Sequence, residues 1–162
     1  MKKVPRPKYP DSFLVWGGIS MRGTTPLLIF TGIMNADFYQ NKILKNCLLP
    51  FVNAAYPEGH RLYQDNDPKH TAKTTVSYME NNGINWWRTP PESPDINPIE
   101  NLWREMKFYV EEVAKPMNRA EFIQSLHAFW ATVDVAKCQK YISHIHKVLP
   151  AVIAAEGKAT KF

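Results

Sequence analysis

Cysteine is nearly absent from this 162-residue sequence: there are two, Cys47 and Cys138, far apart and in no CxxC pair. A disulfide framework is thereby excluded, and so sparse a thiol content suits a reducing compartment. No apolar run approaches the roughly 20 residues of a membrane-spanning helix. The opening MKKVPRPKYPD carries basic residues with no apolar signal-peptide region behind them. The expectation is a soluble intracellular protein, nuclear in a eukaryotic host. A glycine-rich phosphate loop and a GxSxG nucleophile elbow are both missing, which removes nucleotide hydrolysis and serine chemistry. Zinc lacks a ligand set, because His144 and His146 alternate in sequence and cannot share one helical face, and no third ligand stands at a matching spacing.

Large apolar side chains are plentiful instead. Five Trp, seven Tyr and eight Phe, within 44% hydrophobic and 22% charged residues, supply one packed core. The length fits one domain, expected over 13–150 between a basic, proline-rich tail at 1–12 and a C-terminal tail at 151–162. The formal charge of +5 invites a nucleic-acid partner, but its placement is uneven. Lys2, Lys3, Arg6 and Lys8 carry four of those charges, so the remainder nets 5 − 4 = +1. Those four residues form a candidate DNA-backbone arm, and the interspersed prolines equally suit a solvated tail. Composition alone does not decide for DNA.

Strand patterns come first along the chain and helical ones last. Phe13 to Ile19 reads as a strand ending in glycines, and Leu27 to Thr31 returns as its hairpin partner. Asn35 caps a helix that the sequence predicts to end before Pro50. His60 to Gln64 is a short strand that delivers Asp65 to its C-terminal end. A helix over about Thr71 to Asn82, stopped by Gly83, and a strand over Ile84 to Trp87 follow. Apolar stripes at helical spacing then predict three amphipathic helices, on Ile99–Val113, Ala120–Val133 and Val135–Leu149. The fold class is α/β, a mixed sheet with flanking helices and a helical C-terminal third.

Two segments stand out chemically: Tyr63-Gln64-Asp65-Asn66-Asp67-Pro68-Lys69-His70 and Ser93-Pro94-Asp95-Ile96-Asn97-Pro98-Ile99-Glu100. A carboxylate at a strand end and another at a helix start can converge on a hard cation such as Mg²⁺, which prefers oxygen ligands. Asp65 and Glu100 stand 100 − 65 = 35 positions apart.

These segments resemble the second and third acidic motifs of mariner-type DDE transposases, whose catalytic domain is RNase H-like. The 35-position interval matches one large branch of that family, and Val15-Trp16-Gly17-Gly18-Ile19-Ser20 resembles its second-strand signature. The similarity runs from about Phe13 to Lys107. It implies DNA as partner, a two-ion Mg²⁺ or Mn²⁺ centre, and phosphodiester cleavage and strand transfer, with Asp65 and Glu100 as the second and third carboxylate ligands. Asn66, His70, Asp95 and Asn97 are secondary candidates. The family's first carboxylate lies on an opening strand upstream of the Trp-Gly segment, and Asp11 sits in a different context. The expectation is therefore a truncated domain lacking its first strand and its DNA-reading helix-turn-helix, with the nuclease inactive or severely impaired. An incomplete sheet invites dimerisation or association with a full-length transposase. A non-catalytic nucleic-acid-binding or regulatory protein, and a structural relic, are the alternatives.

Bland roles compete for the same residues. Asn97-Pro98-Ile99-Glu100 is a helix start in its own right, with Asn as N-cap and Glu three residues on, so Glu100 can be a capping glutamate. Asn118 to Glu121 repeats that arrangement. Asp67 and Asp95 lie beside prolines, where aspartate usually serves a turn. Trp86, Trp87, Trp103 and Trp130 could stack on bases, but buried core aromatics are commoner.

Overall fold

Successive residues of a strand point to opposite faces, and the first strand packs apolar side chains from both of its own. In the computed structural model, which describes residues 12–88 and 97–154, β1 (Phe13–Trp16) pairs antiparallel with β4 (Leu28–Thr31). The register sets Val15 opposite Ile29 and Trp16 opposite Leu28. Val15 and Ile29 pack on a cluster that includes Leu102, Met106, Leu126, Phe129, Trp130 and Cys138. Trp16 and Leu28 pack on a second cluster of Tyr39, Ile43, Leu44, Leu48, Val52, Met79 and Ile84. The ladder is thus the middle layer between two sets of helices.

The expected hairpin between Phe13 and Thr31 forms, with a refinement at its tip. β2 (Ile19–Ser20) and β3 (Gly23–Thr24) make a separate small ladder, so the first strand is interrupted at Gly17-Gly18. Packing requires glycine at the first of these positions: a Cβ on Gly17 would meet the Trp130 ring at 2.7 Å. The Trp130 indole N–H also donates to the Thr25 carbonyl at 2.9 Å, tying the C-terminal helices to the hairpin.

Asn35 caps the next helix as its sequence indicates, accepting from the Phe38 N–H at 2.8 Å. The helix does not end before Pro50. α1 (Ala36–Phe38) runs into a π-helical stretch, Tyr39–Leu48, and then into α2 (Leu49–Ala55). The Leu49 N–H reaches back five residues to Leu44, and Pro50 falls in the first turn of the α-helical segment that follows. Proline is tolerated at such a position because its missing N–H and fixed φ fit a helix start.

β5 (Leu62–Gln64) and β6 (Trp86–Arg88) pair in parallel, Leu62 opposite Trp86 and Tyr63 opposite Trp87. Between them run α3 (Pro68–Thr71) and α4 (Lys73–Asn81), where the sequence indicated one helix; Ala72, with ψ of 140°, separates the two. Gly83 follows α4 at φ +67°, the left-handed conformation that ends helices and favours glycine. Among the described residues the strands form three two-stranded ladders, where the sequence reading expected one mixed sheet.

The three C-terminal helices appear where the apolar stripes place them: α5 (Pro98–Phe108), prolonged by a π-helical Tyr109–Ala114, then α6 (Arg119–Ala131) and α7 (Val135–Ala154). Lys115, left-handed at φ 44°, stops the first. Asn118 and Glu121 close a reciprocal cap on α6, the Glu121 N–H to Asn118 Oδ1 and the Asn118 amide to Glu121 Oε1, both at 2.9 Å. Glu105 on α5 holds α7 through Lys137 Nζ at 2.7 Å and the Tyr141 hydroxyl. Burial, with the Glu105 carboxylate beside it, pushes the Tyr141 phenol up to about 12. Cys47 and Cys138 are both buried free thiols, and burial pushes both up.

Candidate active site around Asp65 and Glu100

Alternation along β5 decides which side chains reach the surface. Leu62 and Gln64 turn inward, while Tyr63 and Asp65 turn outward, and the Asp65 side chain is 66% exposed. Leu62 and its partner Trp86 pack on the helical cluster. Tyr63 and its partner Trp87 lie on the outer face, where the Arg61 guanidinium sits 3.8 Å over the Trp87 ring. Trp130 is buried, and Trp103 and Trp86 pack against the two clusters, so Trp87 is the exposed one of these four.

The segment after Asp65 is shaped by its own side chains. Asp67 is the N-cap of α3: its carboxylate accepts from the Lys69 N–H at 3.1 Å and pairs with Lys69 Nζ. Pro68 occupies the next position, where its fixed φ suits a helix start. That turn brings His70 back to Asp65, with Nδ1 2.6 Å from Oδ1, and the Asp67 N–H contacts the same oxygen at 3.3 Å. The His70 side chain is 11% exposed, and its ring lies 4.3 Å from the Tyr39 ring. The Tyr39 hydroxyl in turn donates to Oε1 of the buried Gln64. Burial raises the Tyr39 phenol, and the Asp65 carboxylate adds to the effect.

Partial burial acts to raise the Asp67 carboxyl, but its bonds to Lys69 outweigh that and hold it below the usual carboxylate range. A depressed carboxyl adds stability above its unfolded pKa of about 4 and loses it as pH falls through the folded value. Asp67→Ala is therefore expected to lose about 1 kcal/mol of stability at neutral pH through the missing cap. Asp67→Asn keeps the cap but not the charge. Its deficit against the wild type is expected to shrink as pH falls below the unfolded value of about 4 and through the lower folded one, which urea melts at several pH values would measure.

Glu100 lies in the first turn of α5, behind the N-cap Asn97, whose side chain accepts from the Ile99 N–H at 3.3 Å. The two capping sequences diverge here. Glu121 closes its box on Asn118, whereas the exposed Glu100 carboxylate makes no hydrogen bond or ion pair among the described residues. Asn97 has the capping role the sequence allows, and Asn66 is exposed beside Asp65. Asp95 and the arm residues Lys2, Lys3, Arg6 and Lys8 lie outside the described residues.

The structure thus joins Asp65 to His70 by a direct contact, and joins neither to Glu100 by one. As donors, the two exposed carboxylates suit a hard divalent cation, but among the described residues no group of three His, Cys, Asp or Glu side chains is arranged to hold a metal ion. Tyr39 and Gln64 were not foreseen as part of this site. The one signal for Gln64 is a polar residue at an inward position of a strand, which obliges it to find a partner.

The sequence family described as "DDE superfamily endonuclease" matches residues 2–123. The Tcb1 transposase of Caenorhabditis briggsae is 32% identical over 151 residues, as is the Tc1 transposase of Caenorhabditis elegans. In both comparisons the match covers 93% of this chain and 55% of the relative, so the chain spans about half the length of these relatives. Among solved structures, the Mos1 transposase catalytic domain with raltegravir and Mg superposes with a TM-score of 0.78 at 20% identity, over 92% of this chain and 76% of that one. The Mos1 mariner paired-end complex with Mn gives 0.80 at 19% identity, over 99% and 48%. The fold is that of the Mos1 catalytic domain, which bears out the RNase H-like α/β expectation.

Proposed function

Because the chain belongs to the DDE superfamily endonucleases, we propose that it binds DNA and contributes Asp65 and Glu100 to a divalent-metal site for phosphodiester cleavage and strand transfer. The observation that carries this reading is the state of the two carboxylates. Glu100 occupies a capping position without capping, and Asp65 projects from a strand end with one oxygen already engaged. A bound Mg²⁺ or Mn²⁺ would supply Lewis-acid stabilisation of the phosphoryl oxygens and favour deprotonation of the attacking hydroxyl. Asp65 and Glu100 would hold it, and Lys2, Lys3, Arg6 and Lys8 would meet the DNA backbone through charge. Association with a second transposase copy, its own or a full-length one, belongs to the same reading; a solved structure similar in fold is the Mos1 paired-end complex.

Donor number sets the expected activity. The site proposed here names two carboxylates, Asp65 and Glu100, where the resemblance to DDE transposases implies three. Loss of an anionic ligand weakens metal affinity and disturbs the two-ion geometry. The polypeptide is therefore expected to retain DNA and Mn²⁺ without nicking a supercoiled plasmid in Mg²⁺ or Mn²⁺. Robust nicking that disappears in Asp65→Ala would overturn the inactivity and keep the site. Nicking that survives both Asp65→Ala and Glu100→Ala would remove these residues from the chemistry.

A further inference from the structure

An exposed carboxylate on a single Cβ has a broad, roughly two-fold χ2 preference, so an isolated Asp65 would offer either oxygen in many orientations. Here Oδ1 is taken twice, by His70 Nδ1 at 2.6 Å and by the Asp67 N–H at 3.3 Å. Oδ2 makes no hydrogen bond or ion pair among the described residues. We propose that His70 is a positioning residue for Asp65, pinning Oδ1 so that Oδ2 is presented to the cation. This rests on the reading of Asp65 as a metal ligand.

His70 is itself held on its remaining sides. Its ring packs at a tilt against Tyr39, Tyr39 donates to Gln64, and Gln64 is the inward-facing chain neighbour of Asp65. The circuit closes through the backbone, so the imidazole cannot swing away without disturbing the core. The tautomer follows from geometry. His70 Nε2 is buried and has no hydrogen-bond partner among the described residues. If Nε2 carried the only proton, a buried N–H would go unsatisfied while a bare Nδ1 lone pair faced a carboxylate oxygen. With the proton on Nδ1, a charge-assisted hydrogen bond forms and the group left unpaired is a buried lone pair. Partners of this kind, bonded to a metal ligand and not to the metal, fix the ligand's orientation, and their loss typically weakens metal affinity by about 10- to 100-fold.

The competing role for His70 is that of a plug filling the space beside Tyr39. Two substitutions in the full chain separate donor from shape. His70→Asn keeps an N–H near the Nδ1 position and discards most of the ring, whereas His70→Phe keeps the ring and discards the donor. Mn²⁺ affinity, read from free Mn²⁺ by electron paramagnetic resonance, is expected to stay near the wild-type value in His70→Asn. It should fall by roughly tenfold in His70→Phe and His70→Ala. The reverse order, with Phe retaining affinity and Asn losing it, overturns the proposal. Asp65→Ala is run alongside: if it binds Mn²⁺ as the wild type does, the assignment of Asp65 as a ligand fails, whereas loss in Asp65→Ala with none in His70→Phe defeats the positioning role alone. Should a His70 variant not fold, long-range ¹H–¹⁵N spectra of the wild-type imidazole supply the answer. Protonation at Nδ1 is expected, and a ring protonated at Nε2 alone overturns the inference.

Discussion

Trp130→Ala is expected to lower the unfolding free energy by about 3–5 kcal/mol, a loss that a urea or thermal melt would register as a shift of the whole transition. The indole is 7% exposed and sits where three parts of the chain meet. Its ring stacks on Trp103 at 5.6 Å, its tip abuts Gly17, and its N–H satisfies the Thr25 carbonyl. Truncation opens a cavity at the junction of hairpin and helices, and neighbours collapse only partly into such a space. Trp130→Phe tests the polar share separately. It retains a ring but leaves the carbonyl of the buried Thr25 without its donor, for about 1–3 kcal/mol. Equal losses in the two variants would mean that packing around the ring carries little.

Tyr39→Ala is the second large loss, again about 3–5 kcal/mol, because Tyr39 is 1% exposed within the cluster that supports β5. It differs from Trp130 in reaching the site. Removing the ring takes away the wall behind His70, and removing the hydroxyl strands Oε1 of the buried Gln64. Tyr39→Phe isolates the hydroxyl, at about 1–3 kcal/mol. The phenol also gives a pH signature. Burial raises its folded pKa above the unfolded value of about 10. Its contribution is therefore complete below pH 10 and declines as pH rises toward the folded value. Alkaline melts of the wild type should show that decline, and Tyr39→Phe should lack the portion due to this group.

How far the sequence could be read depended on whether a feature was set by neighbours along the chain or across it. Asn35, Gly83 and the Asn118–Glu121 pair act within one turn of their own helix, and the role of each was legible. The apolar stripes of α5, α6 and α7 were legible for the same reason. Continuation of the helix through Pro50 was not, because it depends on a change of hydrogen-bond register that residue spacing does not encode. The need for glycine at position 17 was visible only as a permissive pair of glycines; the Trp130 ring that a side chain there would meet lies more than a hundred positions away. At the candidate site, Asp65 and Glu100 stood out as candidates by type and interval. The return of His70 onto Asp65 was not, since it requires the Asp67–Pro68 turn to set the angle. Nor could spacing tell that Glu121 caps and Glu100 does not. Asn97 and Asn118 present the same local pattern, and only the side-chain conformations separate them.

The two sheltered thiols make the molecule its own reporter of breathing. Cys47 rides on the π-helical stretch behind β5, and Cys138 sits among the C-terminal helices. An alkylating reagent attacks only a thiolate it can reach, so labelling at each cysteine clocks the opening of its own half. If the two halves loosen on different timescales, a mass spectrum taken at intervals will show singly tagged chains before doubly tagged ones, and digestion will tell which end of the molecule gave way first.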